Sequence, residues 1–210
     1  MELGSGRAKV WRKRESKRSP AENPLSPRRW RTVGLVLAAT GLSATFGVAR
    51  ADAYYLNGCK WGTTSIKFYV PSPLVSYTSW WNGANSWSGL QAQYVAGTSS
   101  SHHVYGNNEN RGNTVIWTGA TRTKGTVQSP PSCTGGFFSA GQVEVVINWS
   151  LVTTYGYSSS QIRMVAAHEL GHAFGLAHNP DSLARLMYPY DSRTVITPQT
   201  DDKAGVNAIY

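Results

Sequence analysis

The stretch "HELGHAFGLAH" begins at His168 and holds three of the five histidines of this 210-residue chain. Helical spacing would place His168 and His172 on one face, one turn apart, where two imidazoles can share a metal ion. Glu169 would be rotated by roughly 100° from His168, which puts a carboxylate beside that face. Gly175 can end the helix and turn the chain back, so that His178 supplies a third nitrogen. Three neutral nitrogens with an open fourth position are typical of a catalytic zinc site.

A second motif follows this stretch. The pattern HExxHxxGxxH is more specific than HExxH, because the glycine and the third histidine must coincide. Nine residues after His178, the turn-like "ARLMYPY" contains Met187. On these residues the chain resembles the metzincin metallopeptidases. "LMYP" and the closing "PQTDDKAGVNAIY" resemble the matrixin branch in particular, and the element order is similar over about residues 61–210.

This resemblance implies a fold and a set of site residues. The implied fold is α+β and zincin-like, with a twisted, mostly parallel sheet that has one antiparallel edge strand. Two long helices, one of them the zinc-binding helix, and a C-terminal helix after the methionine turn complete it. The implied roles are zinc ligation by His168, His172 and His178, a general base at Glu169, and a methionine turn at Met187.

The implied activity is that of a zinc-dependent endopeptidase, which hydrolyses peptide bonds with zinc-activated water and a glutamate base. A protein or peptide substrate would lie along a sheet edge around residues 135–141. The segment 188–198, and within it Tyr188, Pro189 and Tyr190, would wall a pocket for the side chain after the scissile bond.

The chain also departs from the family pattern. Asn179 follows the third histidine, and Pro189 occupies the position at which astacins carry a tyrosine ligand. Between about residues 100 and 140 there is no His-x-Asp pattern or acidic, glycine-rich loop, so no motif supports calcium or a structural zinc. His102 and His103 are therefore interpreted as exposed loop histidines. No cysteine-switch motif lies between the leader and Tyr54.

The basic charge is concentrated in the first quarter of the chain. Residues 1–53 contain eleven Lys and Arg against four Asp and Glu, whereas residues 54–210 contain nine against seven. A basic segment, the apolar run 33–48 and small residues at Ala49, Ala51 and Ala53 predict a secretory signal peptide. The apolar run is short for a membrane span, although an uncleaved anchor is the alternative. We expect a monomeric, extracellular catalytic domain over residues 54–210, without stable membrane association after cleavage and without a nucleic-acid partner.

The two cysteines, Cys59 and Cys133, both lie in the expected mature chain. In an exported protein an even pair predicts one disulfide. Two unpaired buried thiols are the alternative.

Periodicity and turn residues predict the elements that position the site. A capping box formed by Ser158 and Gln161 should start the zinc helix, and Gly175 should end it. Residues 75–90 predict a first helix through Val75, Trp80, Trp87 and Leu90. The predicted strands are 63–70, 92–97, 113–119 and 142–150. A closing helix near the C-terminus offers Ala204, Val206, Ile209 and Tyr210 for burial.

Two other functions remain open on the sequence alone. One is a secreted zinc-binding interaction or adhesion protein of metzincin fold without catalysis, and the presence of Glu169 argues against it. The other is a zinc hydrolase that does not act on peptides, and Met187 argues against that. The tryptophans and tyrosines fit either a glycan-binding surface or an aromatic core.

Overall fold

The computed structural model describes residues 54–210, and the predicted leader and signal segment, residues 1–53, lies outside the described residues. The described residues begin with a strand and a helix, continue with a run of strands and end with a run of helices. The elements are β1 (Ser65–Tyr69), α1 (Tyr77–Asn85), β2 (Gln93–Ala96), β3 (Val104–Glu109), β4 (Gly119–Thr123), β5 (Cys133–Thr134), β6 (Phe137–Phe138), β7 (Val143–Asn148), α2 (Trp149–Thr154), α3 (Ser159–Phe174) and α4 (Thr200–Ile209). None of the helices in residues 54–210 is long and apolar enough to cross a membrane.

A five-stranded sheet in the order β2-β1-β3-β7-β4 forms the framework. Neighbouring strands from β2 to β7 are parallel, and β4 pairs antiparallel to β7 with Thr121 opposite Val145. The predicted mostly parallel sheet with one antiparallel edge strand is thus confirmed. The short β5 and β6 pair with each other outside this sheet.

The hydrophobic core lies between the sheet and the helices α1 and α3. Strand β1 alternates, so that Ile66 and Phe68 are buried while Lys67 is exposed. Trp80 of α1 is fully buried in the same core. Removing such side chains from water contributes about 1.5–3 kcal/mol each. At Gly83 a Cβ would approach Ala167 N to 3.0 Å, so this glycine allows α1 and α3 to come close.

The first helix is shorter than predicted. It ends at Asn85, and Trp87 and Leu90 are buried in the turns that follow it. Val75 precedes the helix and is 69% exposed, so its assignment to the apolar face was wrong. The apolar spacing continued past the helix because the following turns also cover the core.

The predicted strand 113–119 is wrong, because these residues form a loop and β4 begins only at Gly119. Asn148 holds the loop, since its Nδ2 donates to Gly112 O at 3.1 Å and its backbone N donates to Thr118 O at 2.8 Å. Ile116, which suggested a strand, is 96% exposed. The polar β3, the β5–β6 hairpin and the short α2 were not predicted.

The predicted disulfide between Cys59 and Cys133 is present, and its two cysteines have a sequence separation of 74. A covalent loop of that length stabilises the folded chain by about 4 kcal/mol in the chain-entropy description. The bond ties the first described residues to the β5–β6 hairpin, where Lys60 N also donates to Gly136 O at 3.0 Å.

The closing helix is present as α4, and its burial was predicted in part. Val206 is fully buried, and Ile209 and Tyr210 pack against the core as expected. Ala204 is exposed, so that assignment was wrong.

Candidate metal centre

The zinc helix α3 has the ends that the sequence predicts. Gln161 N donates to Ser158 Oγ at 3.3 Å, and Ser158 N donates to Gln161 Oε1 at 2.9 Å, which closes the capping box. Gly175 follows the last turn with φ +115°, a left-handed conformation that favours glycine. A Cβ there would lie 2.3 Å from Cys59 O. The chain therefore turns back at this residue and carries His178 toward α3.

Three imidazoles meet at this turn. The candidate ligand atoms of His168, His172 and His178 all lie within 4.8 Å of one another. His168 is buried, His172 is partly exposed and His178 is exposed, so the group opens to solvent on one side. Such an arrangement can hold one metal ion and leave a coordination position accessible.

Hydrogen bonds orient two of these rings. His168 Nδ1 lies 2.8 Å from Leu186 O, and His172 Nδ1 lies 2.8 Å from Leu176 O. A carbonyl oxygen only accepts, so each Nδ1 carries the proton and each Nε2 keeps its lone pair for a metal. The donor set therefore fits zinc.

The three rings are also held in the neutral form that a metal requires. Burial lowers the pKa of His168, and the nearby Arg193 and His172 lower it further. Burial lowers the pKa of His172 to about 3, with His178 contributing. Burial, followed by the charge of Arg193, lowers the pKa of His178.

Glu169 lies beside this group and is only 5% exposed. Its Oε2 is 2.8 Å from the hydroxyl of Thr121 on β4. Burial raises the pKa of Glu169 to about 7, although the hydrogen bond from Thr121 opposes the shift. A Cβ at Gly119 would lie 2.7 Å from Glu169 Oε1, so the edge strand leaves room for the carboxylate only because this residue is glycine.

Met187 packs against α3 and is 2% exposed. At Gly171, on that helix, a Cβ would approach Met187 Sδ to 2.4 Å, so only glycine allows this contact. The Asp202 carboxylate of α4 accepts from Leu186 N at 3.0 Å and from Met187 N at 3.2 Å. Helix α4 thereby fixes the turn that presents Leu186 O to His168.

Sequence reasoning did not identify Arg193. Its Nη1 donates to Leu186 O at 3.0 Å, the same carbonyl oxygen that faces His168 Nδ1. Its Nη2 donates to Asp191 Oδ1 at 2.6 Å, and Asp191 Oδ2 accepts from the Tyr157 hydroxyl at 2.7 Å. One sequence feature could have indicated it: Asp191 and Arg193 carry opposite charges two residues apart, within the segment predicted to wall a pocket.

Two cavities meet at the histidines and Glu169. A cleft of about 640 Å³ runs along β4 and includes Trp117, Gly119 and Thr121 in its lining. A pocket of about 190 Å³ lies on the other side, where Arg193 is part of the wall. The edge strand of the site is therefore β4.

The predicted substrate edge at residues 135–141 was wrong. That stretch contains β6, which pairs with β5 and bridges to Lys60. Pro189 and Tyr190 line the 190 Å³ pocket, whereas Tyr188 packs against Tyr190 with ring centroids 5.8 Å apart. The role of these residues as the wall of a substrate pocket stays a prediction.

The remaining two histidines lie elsewhere. They are partly buried rather than exposed, and His103 Nδ1 accepts from Lys67 N at 2.8 Å. His102 packs against the rings of Tyr69 and Tyr105. Both histidines therefore contact residues of the inner strands β1 and β3.

A helix with two histidines and a glutamate, a third histidine after a glycine turn, and a methionine turn packed against the helix define a metzincin metallopeptidase. The matrixin family model (Peptidase_M10) matches residues 77–210. The chain belongs to the matrixin family.

A curated protein and a solved structure are also similar to this chain. Karilysin of Tannerella forsythia is 29% identical over 169 residues, which cover 75% of this chain and 34% of karilysin. The chain thus spans about a third of the length of this curated relative. The solved structure "GM1 bound form of the ECX AB5 holotoxin" matches with a TM-score of 0.44 and 17% identity, covering 75% of this chain and 86% of that one.

Family membership confirms the predicted fold, which is that of a matrixin-like metzincin. It also implies a catalytic zinc, for which the three imidazoles provide a fitting donor set.

Proposed function

We propose that residues 54–210 are the catalytic domain of a secreted zinc endopeptidase, and that residues 1–53 are its leader and signal peptide. His168, His172 and His178 hold the zinc, and Glu169 is the general base. The observation that carries this proposal is the set of three converging imidazoles next to a buried glutamate, at the meeting point of an open cleft and a pocket.

The role of Glu169 follows from its two oxygens. Thr121 holds Oε2, whereas Oε1 faces the narrow space beside Gly119. A bound zinc would supply Lewis acidity, which makes water acidic enough to lose a proton near neutral pH and polarises the substrate carbonyl. Glu169 takes that proton and later delivers it to the leaving amine. The burial of Glu169 suits this exchange, because it raises the pKa of the carboxyl to about 7. Proton transfer is most efficient when the pKa of the group lies near the working pH.

The edge strand β4 is placed to align the substrate. It is the last strand in the sheet order, so its outer edge is not paired within the sheet. An extended peptide can add to such an edge through backbone hydrogen bonds, which bind without regard to side chains. A peptide aligned along β4 would pass Glu169, His172 and His178, since all three line the same cleft.

Secretion is supported by the chemistry of the chain. The basic, then apolar, then small-residue leader has the composition of an export signal. The disulfide between Cys59 and Cys133 forms and persists in oxidising compartments. The balance of nine basic against seven acidic residues in 54–210 provides little attraction for nucleic acid, which agrees with a peptide substrate.

The alternative, a zinc-binding adhesion protein without catalysis, is less well supported because Glu169 retains a position at which it can accept a proton. Export of the full chain from a bacterial host, followed by N-terminal sequencing, tests the leader; we expect cleavage after Ala51 or Ala53. Release with an intact leader would contradict the signal-peptide assignment.

The exported protein is then assayed for cleavage of a denatured protein, with and without a zinc chelator. We expect chelator-sensitive cleavage that is lost in Glu169→Ala while one zinc remains bound. Absence of cleavage by folded, zinc-loaded wild type would contradict the peptidase and favour the adhesion protein. Equal cleavage by Glu169→Ala would remove this residue as the base.

A further inference from the structure

The pocket beside Glu169 combines aromatic, apolar and charged residues in its wall. Its lining is partly aromatic and apolar, with Trp117, Pro189 and Tyr190, and its volume of about 190 Å³ can hold one side chain of medium size. The lining also includes the charged pair Asp191 and Arg193. The Arg193 side chain is only 3% exposed, so this charge is part of the interior of the pocket wall.

The hydrogen bonds of Arg193 leave part of its donor capacity unused. A guanidinium has five N–H groups. Nε donates to Tyr190 O at 3.2 Å, Nη1 to Leu186 O at 3.0 Å and Nη2 to Asp191 Oδ1 at 2.6 Å. Within residues 54–210, these three bonds leave one N–H on each terminal nitrogen without an acceptor. Buried donors in folded proteins are almost always paired, so an acceptor must come from water or from a ligand.

Both oxygens of the Asp191 carboxylate are already occupied by hydrogen-bond donors. One carboxylate oxygen accepts from Arg193, and the other accepts from Tyr157 and from Thr118. A ligand in the pocket therefore meets N–H donors, but it also meets a carboxylate that would repel a second negative charge. A neutral group with a carbonyl oxygen suits both conditions.

We infer that Arg193 determines specificity, and that the pocket takes a substrate side chain ending in an amide, that of glutamine in particular. This inference rests on the proposed peptidase function. An aliphatic side chain would displace water from the two remaining N–H groups and return no hydrogen bond, and sites built for a hydrogen bond discriminate against analogues that lack it. A glutamate side chain would bring its negative charge close to Asp191 and Glu169.

The experiment uses the exported enzyme and a peptide library in which glutamine, glutamate and leucine are varied at every position around the cut. Mass spectrometry of the products gives the enrichment of each residue at each position. Peptides that differ only at the selected position then give kcat/KM ratios. We expect glutamine to exceed leucine and glutamate by about tenfold in kcat/KM at one position.

Variants test the assignment to Arg193. Arg193→Met should abolish the glutamine preference or reverse it toward leucine, and Arg193→Lys, which keeps a cation but loses the planar donors, should reduce it. Arg111→Met is the matched control, because Arg111 is ion-paired with Glu109 outside the pocket lining, and it should keep the wild-type ratio. Each ratio is internal to one variant, so a smaller folded fraction does not alter it.

The outcomes are distinct. Cleavage without glutamine enrichment, or with leucine preferred by the wild type, overturns the inference and leaves the peptidase intact. A glutamine preference that survives in both Arg193 variants also overturns it. Absence of any cleavage by folded, zinc-loaded wild type overturns the proposed function and the inference with it.

Discussion

Two buried polar groups lie on opposite faces of the sheet. They differ in whether their polar atoms bond to one another or stay available for a ligand. The metal group, His168, Glu169 and His172, faces the cavities above β4. The second group, here called the arginine clamp, consists of Arg122, Glu109 and Glu144. In the clamp Arg122 Nε donates to Glu144 Oε2 at 3.0 Å, and Arg122 also bonds to Glu109 Oε1. The clamp residues bond to one another, whereas the metal group keeps the histidine Nε2 atoms and Glu169 Oε1 for a ligand.

The comparison shows that burial and charge alone do not identify a functional site. Arg122 is 1% exposed and Glu144 is 4% exposed, which is comparable with 5% for Glu169. The informative difference is the direction of the lone pairs. In the clamp the carboxylate lone pairs point at Arg122, which links β4 to β7. In the metal group the lone pairs of the histidines and Glu169 point at a cavity. We therefore expect changes in the metal group to affect turnover and changes in the clamp to affect stability.

The largest effect is expected from Glu169→Gln, compared with Glu144→Gln. Both changes remove one charge from a buried glutamate and keep its size. Loss of the base should reduce kcat/KM by about 10³-fold or more, with zinc still bound at one ion per chain. Glu144→Gln should lower the melting temperature and leave kcat/KM per folded molecule close to wild type. Metal analysis, kinetics and thermal unfolding on both variants check the pair; a similar loss of turnover in both would contradict the distinction.

The second-largest effect is expected on the free energy of unfolding. Arg122→Met leaves the buried Glu144 without its cation, whereas the partly exposed Glu109 keeps its ion pair with Arg111. An unpaired buried charge of this kind should cost about 3–5 kcal/mol of unfolding free energy. Adding Glu144→Gln and Glu109→Gln to that variant should recover part of the loss, because the unpaired charge is then gone. Denaturant unfolding of the single and triple variants measures both values. A triple variant less stable than the single one would show that the clamp contributes more than charge compensation.

The two regions also differ in how well the sequence predicts them. The zinc helix is local: its cap at Ser158, its histidines at a spacing of four and its end at Gly175 all lie within 18 residues, and each was predicted. The edge strand depends on partners far away in sequence. Residues 113–118 have strand-forming side chains, but Asn148 holds them as a loop, and only Gly119–Thr123 pair with β7. Arg193 was not predicted for the same reason. Its contacts, with the carbonyl oxygen of Leu186 and with a cavity, depend on the folded chain and not on residue spacing.

A third prediction addresses the contact between edge strand and metal group. Gly119→Ala would place a Cβ 2.6 Å from Val165 Cγ1 and 2.7 Å from Glu169 Oε1. The carboxylate must shift, and a displacement of about 1 Å can cost up to about 10²-fold in rate. We expect kcat/KM to fall by about tenfold to 100-fold with zinc retained. Gly62→Ala is the control, because its Cβ would meet only Phe137 Cδ1 at 4.0 Å. Wild-type turnover in Gly119→Ala would show that this approach does not constrain Glu169.

The smallest effect is the pH dependence of the clamp. Burial raises the pKa of Glu109, but hydrogen bonds and charges from Arg122 and Arg111 outweigh it and hold the pKa below 4.5. Glu144 faces the same Arg122 from β7 and shares its charge. A carboxyl with a lowered folded-state pKa stabilises the fold fully above its unfolded pKa, and this contribution disappears as pH falls through the folded value. Wild type should therefore exceed Glu109→Gln by about 1 kcal/mol at neutral pH, and the difference should vanish well below pH 4. Urea unfolding of both proteins across that range measures it. A constant difference at all pH values would mean that Glu109 stabilises the clamp by packing, and the charge pairing that separates the clamp from the metal group would then rest on Glu144 alone.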